Sequence, residues 1–225
     1  MERSKKVKIN IQKGLLILAI LLLSFSTLLS AQERRPGRLF PPEKIQILEK
    51  TREWQDAKEV MDRLSIRKGD IVADIGAGAG YFTLPLAQRV GAEGLVYAED
   101  IQQAMVDYLS KKVETLELRN IKVMLGKADN PNLPENSLNL ALLANTYHEV
   151  EKPMLLWKAI GKELKADGRL AIIDWDPAKE SPIGPPKQDK VPEDTVIKEV
   201  EEAGFLLSGK YAFMPYHYFL VFKKK

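Results

Sequence analysis

The sequence predicts an α/β fold in which a mostly parallel sheet alternates with helices and closes on a hairpin. Three observations support this prediction. An apolar run at residues 71–73 leads into a glycine-rich turn and then into a helix pattern. The alternation of apolar strand and amphipathic helix repeats as far as residue 175. After residue 205, two apolar segments meet at Pro215 with no helix between them, which indicates a hairpin.

The first 31 residues are predicted to be a secretory signal peptide or a membrane anchor rather than part of this fold. Residues 1–13 carry five basic residues, and no charged residue occurs from 14 to 32. Small residues at 30 and 31 suit a cleavage site, although Leu29 is larger than the position prefers. Uncut, residues 14–30 would form a helix of about 26 Å, a marginal membrane span. The basic flank favours an inside amino terminus, so we expect an exported (periplasmic or extracytoplasmic) or membrane-anchored protein, with a cytoplasmic-face domain also open.

Composition excludes several classes of site. The whole chain has a net charge of +3, but without residues 1–31 it has 29 basic and 30 acidic residues, a net charge of −1. The basic balance therefore comes from the leader and predicts no nucleic-acid partner. The chain has no cysteine and only two histidines, so we expect neither a disulfide nor a metal site.

A linker and an N-terminal helix are assigned to residues 32–53, and the main domain to residues 54–225. Residues 34–42 are rich in charge and turn formers, and residues 43–66 then have the spacing of one or two amphipathic helices. Val60, Met61 and Leu64 form the buried stripe of that pattern. Trp54 lies at the junction between the helices.

The glycine-rich turn carries the most specific signal. Asp74 ends the first strand, and Gly76, Gly78 and Gly80 follow it at alternate positions. A dinucleotide-binding turn would place its third glycine at 81, where this chain has Tyr81. The pattern resembles the first motif of class I methyltransferases that use S-adenosylmethionine, in the branch that methylates quinones and other small molecules. That resemblance implies a Rossmann-like seven-stranded sheet with only the last strand antiparallel and helices on both faces.

The resemblance also implies how the cofactor S-adenosylmethionine is bound. The glycines lie along its methionine part, Asp74 meets its amino group, and Asp100 takes its ribose hydroxyls, with Glu99 as the alternative. The segment 126–139 corresponds to the third motif, but it has Lys127 and Asn139 where the family has acids. Either Asp129 or backbone alone then holds the adenine. The cofactor-binding residues are thus predicted to be Asp74, Gly76, Ala77, Gly78, Gly80, Tyr81, Asp100, Ile101, Ala128, Asp129 and Asn145.

The remaining elements follow in order. Residues 102–118 have a helix pattern, 121–126 and 138–145 read as strands, 151–168 as a helix and 169–175 as the fifth strand. Residues 176–192 carry five prolines and no periodicity, and a loop of that length suggests a functional role. A helix at 194–204 precedes the final hairpin.

Catalytic residues are expected at the carboxyl ends of the strands, where open α/β sheets bind ligands. His148 is predicted to be the base or substrate orienter, with Tyr147 beside it and Asp174 providing cleft electrostatics; a structural role for His148 stays open. Trp54 is either part of a lid, as in the resembled family, or ordinary packing. Hairpin topology places Tyr216 and His217 at the same edge. The candidate substrate-contacting residues are Trp54, Glu149, Asp176, Tyr216 and His217.

The predicted function is direct methyl transfer to a small-molecule acceptor, possibly lipophilic, with membrane contact if the leader is uncleaved. The chain lacks the Asp/Asn-Pro-Pro-aromatic motif of amino-methylating enzymes, and without cysteine it cannot methylate cytosine carbon. Two alternatives remain. One is a non-catalytic cofactor-binding or scaffold protein, suggested by Lys127 and Asn139. The other is a nicotinamide-linked oxidoreductase, which Tyr81 disfavours.

Overall fold

A seven-stranded sheet forms the centre of the computed structural model, which describes residues 38–50 and 52–225. The strand order is β3-β2-β1-β4-β5-β7-β6, and β7 alone is antiparallel to its neighbours. The strands of the sheet are β1 Ile71–Ile75, β2 Leu95–Asp100, β3 Ile121–Leu125, β4 Leu138–Ala144, β5 Leu164–Trp175, β6 Phe205–Tyr211 and β7 His217–Lys224. This confirms the predicted sheet and its closing hairpin.

Helices cover both faces of the sheet, as predicted. On one face lie α2 Ala57–Leu64, α3 Thr83–Val90 and α4 Gln103–Thr115, which pack on residues such as Val72 and Leu142. On the other lie α5 Pro153–Glu163 and α6 Glu193–Glu202, which pack on residues such as Ala73 and Leu143. Neighbouring strand residues thus face opposite layers, which is why the central strands are apolar throughout.

The predicted helix at 151–168 is wrong at its end. Helix α5 ends at Glu163, and β5 already begins at Leu164, which pairs with Leu138 of β4. Gly168, the last residue of the predicted helix, lies in the strand instead. A Cβ atom there would come 2.7 Å from the carbonyl oxygen of Leu138, so close packing of the β4 backbone requires the glycine.

The segment before the sheet contains less helix than its sequence pattern suggests. A single turn at Pro42–Lys44 leads into the short α1 Ile45–Leu48, and α2 begins after Asp56, whose carboxylate accepts hydrogen bonds from the amides of Lys58 and Glu59. Trp54 lies between α1 and α2, where the sequence placed it. Residues 38–50 and 52–56, which precede α2, are called the cap segment below.

The predicted signal peptide or anchor at residues 1–31 lies outside the described residues. Within the described part of the chain, no helix is long and apolar enough to cross a membrane.

Candidate active site

The glycine loop, residues 76–80, is held by the end of β2. The amide of Ala77 donates to the carbonyl oxygen of Glu99 (2.8 Å), and the amide of Gly78 donates to Asp100 Oδ2 (3.0 Å). Gly76 has φ +71°, and a Cβ atom there would lie 2.4 Å from Thr146 Cγ2. The turn after β1 therefore packs directly against the turn after β4, at the point where the strand order reverses and α/β sheets bind ligands.

Asp100 keeps acceptor capacity after fixing the loop. Its Oδ1 accepts the amide of Gln102 (2.9 Å) and its Oδ2 accepts that of Gly78, while a carboxylate offers about four acceptor positions. Burial raises the pKa of Asp100 above its ordinary value, although these amides oppose the rise. The structure thus places Asp100 beside the glycine loop.

Three buried carboxyl groups surround this loop. Asp74 accepts the hydroxyl of Thr83 (2.6 Å), and burial raises its pKa to about 6. Glu99 is almost fully buried, which raises its pKa well above the usual range, and its Oε1 has no hydrogen-bond partner among the described residues. A Cβ atom on Gly126 would overlap that oxygen, so the glycine of the third motif leaves room for Glu99. Together with Asp100, these residues form the acid cluster.

The cap segment covers the glycine loop. Gln102 donates to the carbonyl oxygen of Phe40 (3.1 Å), and the Tyr81 hydroxyl donates to that of Gln55 (2.7 Å). A Cβ atom on Gly78 would lie 3.1 Å from Leu48 Cδ1, so the cap lies directly above that glycine. Arg52 stacks on the Tyr81 ring at 4.3 Å from its centroid. The cap segment therefore lies over the glycine loop, in the position that a lid would occupy.

Gln55 is a site residue that sequence reasoning missed. It is fully buried, and its amide exchanges two hydrogen bonds with that of Asn145 (2.9 and 3.3 Å) at the end of β4. Asn145 itself has φ +58°, a left-handed conformation that asparagine tolerates. A glutamine between two short helices gives no signal in the sequence, because only the folded chain brings position 55 to position 145.

The residues of the third motif lie at both ends of the strands: the first of them follow the carboxyl end of β3, and the last lies at the amino end of β4. Ala128 is exposed and Asp129 half-buried in the turn that follows β3, and Ile101 is partly exposed beside Asp100. Asn139 lies at the start of β4, where its Oδ1 accepts the amide of Ile71 (3.0 Å) and the ammonium of Lys165 (2.9 Å). Asn139 therefore connects the starts of β1, β4 and β5, at the end of the sheet that is far from the glycine loop.

His148 and Asp174 form a buried pair at the carboxyl ends of β4 and β5. Asp174 accepts the His148 backbone amide with Oδ2 (2.9 Å) and the ring Nδ1–H with Oδ1 (2.8 Å). Burial lowers the pKa of His148, but the Asp174 carboxylate outweighs it and Glu149 adds to that effect, so the pKa lies above its ordinary value. The His148 Nε2 lies 3.8 Å from Glu149 Oε1. The predicted base and its electrostatic partner are thus in direct contact.

Tyr147 faces away from this pair. Its side chain is fully buried against Trp157 in the layer of α5 and α6, and its hydroxyl hydrogen-bonds Glu199. A substrate at the carboxyl ends of the strands cannot touch a ring that is enclosed between the sheet and these two helices. The catalytic role predicted for Tyr147 is therefore corrected to a packing role.

The predicted substrate-side residues meet at the ends of β5 and β7. Trp54 of the cap segment stacks on His217 (5.3 Å between centroids, 1° between planes), and Tyr216 lies 6.5 Å from Trp54. Asp176 accepts the amide of Ala178, and its own amide donates to the carbonyl oxygen of Tyr216, so it fixes the start of the long loop. Glu149 is mostly buried beside His148.

Comparison with known proteins identifies the family to which this fold and sequence belong. A family model described as a methyltransferase domain matches residues 72–168. The chain is similar to the crystal structure of a SAM-dependent methyltransferase from Aquifex aeolicus, with 31% identity and a TM-score of 0.78 over 82% of this chain and 98% of that one. The chain belongs to the S-adenosylmethionine-dependent methyltransferases. The resemblance carried by the glycine motif is confirmed.

Other methyltransferases agree at lower similarity. A putative type 11 methyltransferase from Sulfolobus solfataricus is 26% identical with a TM-score of 0.63, over 77% of this chain and 94% of that one. The demethylmenaquinone methyltransferase of Geobacillus stearothermophilus is 31% identical over 117 residues, 52% of this chain and 50% of that protein. The chain spans about half the length of the curated relatives it matches.

The residues present fit the methyltransferase cofactor. S-Adenosylmethionine carries a sulfonium and an amino group, both cationic, and two ribose hydroxyls. The carboxyl groups of Asp74 and Asp100 suit the cations, and the free acceptor positions of Asp100 suit the hydroxyls. Asp74, Asp100 and the glycine loop would hold the cofactor.

Glu149 gives the methyltransferase a measurable pH dependence of stability. Burial raises its pKa from 4.5 to about 7, with Asp174 and Asp100 contributing and His148 opposing. The folded state thus keeps a proton that the unfolded chain loses, so this stabilisation is complete below pH 4.5 and is lost as the pH rises through about 7. Between these pH values, we expect the free energy of unfolding to fall by on the order of 2 kcal/mol less in Glu149→Gln than in the parent protein. Urea unfolding at several pH values measures it.

The neighbouring Glu151→Gln is the control, because Glu151 is exposed. It should keep the pH slope of the parent protein. Parallel slopes for the parent and Glu149→Gln would contradict the assignment.

Proposed function

We propose that this methyltransferase transfers a methyl group from S-adenosylmethionine to an oxygen or acidic carbon of a small lipophilic acceptor. The observation that carries the proposal is the buried His148–Asp174 pair at the strand ends beside the glycine loop. It supports a reaction in which a proton is removed from the acceptor. The glycine loop and Asp100 support cofactor binding at the same edge.

The chemistry requires little from the protein beyond alignment, dry surroundings and a base. When bound, the sulfonium supplies an electrophilic methyl group and leaves as a neutral thioether: the acceptor–carbon bond forms as the sulfur–carbon bond breaks, with its electron pair going to sulfur. The acid cluster would hold the cationic end of the cofactor, and the cap segment would exclude water. Gln55 ties that cap to Asn145 at the end of β4.

His148 is suited to take the proton that the acceptor loses. Its Nδ1–H donates to Asp174, so its Nε2 is the free acceptor nitrogen, and the same carboxylate also accepts the His148 backbone amide, which fixes the residue beside it. Side-chain contact with Asp174 also makes the imidazole more basic. His148 is therefore the proposed general base, and Asp174 is a positioning residue.

The acceptor class rests on the relatives and on the surroundings of the pair. Curated relatives are named as demethylmenaquinone methyltransferases, which suggests a quinone-like ring. The aromatic side chains of Trp54, Trp175 and Tyr216 surround the same edge of the sheet and suit a flat, lipophilic molecule. The scaffold alternative loses support, because Asn139, one of its two arguments, lies at the other edge of the sheet.

Residues 1–31 are proposed to export the protein or to anchor it in the membrane. If the segment stays uncleaved, it keeps the methyltransferase domain near a membrane, where a lipophilic acceptor would be found. An inside amino terminus with a single span places the domain outside, whereas S-adenosylmethionine is made inside cells, so the proposal keeps both orientations. Protease that reaches the outer face of the cytoplasmic membrane should digest an outside domain and leave a cytoplasmic domain whole.

Cofactor binding is tested with Asp100→Ala. The variant loses the two hydrogen bonds that the ribose hydroxyls would donate to the Asp100 carboxylate. Binding of S-adenosylhomocysteine, measured by calorimetry, should therefore weaken ten- to a hundredfold. Asp107→Ala on the exposed side of α4 is the matched control and should bind like the parent. Equal affinity of the parent and Asp100→Ala would refute the assignment of Asp100, and a parent that binds no cofactor would refute the proposed function.

The base is tested with His148→Gln and Asp174→Asn in an assay that follows S-adenosylhomocysteine release with 1,4-dihydroxynaphthalene derivatives. His148→Gln should lower kcat by about a hundredfold while cofactor affinity stays unchanged. The parent's kcat/KM should rise with pH as His148 loses its proton, and Asp174→Asn should move that rise to lower pH, because the carboxylate raises the histidine pKa. A parent-like kcat in His148→Gln would exclude it as the base.

A further inference from the structure

Arg52 of the cap segment brings a positive charge to the glycine loop. Its guanidinium carbon lies 4.3 Å from the centroid of the Tyr81 ring, which directly follows the loop. Its Nη2 donates to the backbone carbonyl of Leu48 (3.2 Å), the residue whose side chain covers Gly78. The Arg52 side chain is half-buried by these contacts. It is therefore fixed between the cap segment and the end of the glycine loop.

A third contact connects Arg52 to the end of β4. Its Nη1 donates to Gln55 Oε1 (3.1 Å), which also accepts a hydrogen bond from the Asn145 side chain (2.9 Å). The next residue, Thr146, donates to the carbonyl oxygen of Gly76 at the start of the glycine loop (3.4 Å). The guanidinium is thus connected to both sides of the turn between β1 and β4. The resemblance implies that the methionine part of the cofactor lies along the glycines of this turn.

The positive charge of Arg52 has no carboxylate partner among residues 38–50 and 52–225. The two atoms that accept hydrogen bonds from it are neutral, an amide oxygen and a backbone carbonyl oxygen. A guanidinium has five N–H donors, so the other three have no partner within the described part of the chain. Burial lowers the pKa of Arg52, and Tyr81 and Asp74 offset that change only in part. An anion that reached this half-buried cation would stabilise it.

Asp74 is the opposite charge on the sheet side of the loop. Arg52 lowers the pKa of Asp74 and Asp74 raises that of Arg52, so the two groups are close enough to interact. They form no ion pair, since Asp74 Oδ2 accepts the hydroxyl of Thr83 and Arg52 donates to oxygens of the cap segment. Two opposite charges that interact without pairing suit a ligand group that carries both signs. The amino acid end of S-adenosylmethionine is such a group.

We propose that Arg52 binds the carboxylate of the cofactor's methionine part and makes the site specific for a cofactor that carries this group. The inference rests on the proposed function and names what the cap segment recognises. The ammonium and the carboxylate of an amino acid are attached to one carbon atom. A ligand whose ammonium meets Asp74 therefore brings its carboxylate to the same place, where the unused donors of a planar guanidinium suit its two oxygens.

A cofactor without the carboxylate is selected against by the same residue. Decarboxylated S-adenosylmethionine keeps the sulfonium and the ammonium, so it would bring two positive charges to Arg52 without the anion that pairs with it. An unpaired charge in a half-buried position is unfavourable, and like charges repel. Arg52 is therefore a specificity-determining residue that acts by attraction of one ligand and by repulsion of the other.

The experiment measures the binding of S-adenosylmethionine and of decarboxylated S-adenosylmethionine to the full chain by calorimetry. The two ligands differ in the carboxylate alone. We expect the parent to bind the decarboxylated ligand about tenfold more weakly, or weaker still. Arg52→Met should weaken binding of S-adenosylmethionine about tenfold, because a charged hydrogen-bonding partner is lost. It should leave the decarboxylated ligand unchanged or more tightly bound, because the cation that repels this ligand is gone.

Two further variants separate recognition of the carboxylate from packing of the cap segment. Arg52→Lys keeps the charge without the planar fork, so it should bind S-adenosylmethionine more tightly than Arg52→Met does and less tightly than the parent. Arg63→Met is the matched control. Arg63 also lies over a tyrosine ring, 5.6 Å from the Tyr211 centroid, but it is exposed and pairs with Glu59 of α2. This control should bind both ligands like the parent.

Two results would overturn the proposal. If Arg52 only packs the cap segment, Arg52→Met should weaken binding of both ligands by the same factor. Equal affinity of the parent for the two ligands would overturn the proposal without any variant, so the test does not depend on how Arg52→Met folds. A parent that binds neither ligand would refute the proposed function together with this inference. A parent that binds S-adenosylmethionine without discrimination refutes the inference alone, so the two failures are distinguishable.

Discussion

The hydrogen bond from the Gly78 amide to Asp100 Oδ2 is the contact on which the site depends. It fixes a turn of glycines, which has no side chains to hold it, against the end of the neighbouring strand. A second bond, from Ala77 to the Glu99 carbonyl, sets the same register one residue earlier. Without these bonds, the backbone that must meet a ligand would sample many conformations. The methyltransferase thus uses its acidic residue at β2 first as a structural clamp.

The electrostatics of the loop follow from that clamp. It brings Asp100 close to Glu99 and Asp74, and burial raises the pKa of all three. Arg52 lowers the pKa of Asp74, but burial outweighs it and the pKa stays raised, so Arg52 offsets the cluster only in part. A cationic ligand stabilises such carboxylates more than water can at a buried position. We therefore expect the cluster to favour a cationic sulfonium over a diphosphate.

Local sequence predicted the parts of this structure that local chemistry determines. The alternation of apolar runs and amphipathic helices predicted the strands and the closing hairpin, and the family resemblance implied the seven-stranded sheet with an antiparallel last strand. The end of α5 was missed because residues 164–168 lack strand alternation, and pairing with β4 decides their conformation.

The direction in which a side chain points was the other feature that the sequence did not predict. Tyr147 and His148 are neighbours in sequence, but one enters the helical layer while the other meets Asp174, and periodicity does not decide between them in a single turn at a strand end. Asn139 looked like a lost cofactor ligand, yet it lies at the opposite end of its strand from the site. The Gln55–Asn145 pair joins residues 90 positions apart, so no local sequence pattern predicts it.

The cap segment connects the two halves of the proposed reaction. Leu48 lies over Gly78 on the cofactor side, Trp54 lies on His217 on the acceptor side, and Gln55 between these contacts is bonded to Asn145. Because these residues lie within eight positions of one another, a shift that admits one ligand alters the contacts that cover the other. Binding of a cofactor under Leu48 would thus be felt at Trp54 and Gln55 through the same short stretch of chain. Coupling of this kind requires no separate regulatory site, since one short stretch of chain contacts both.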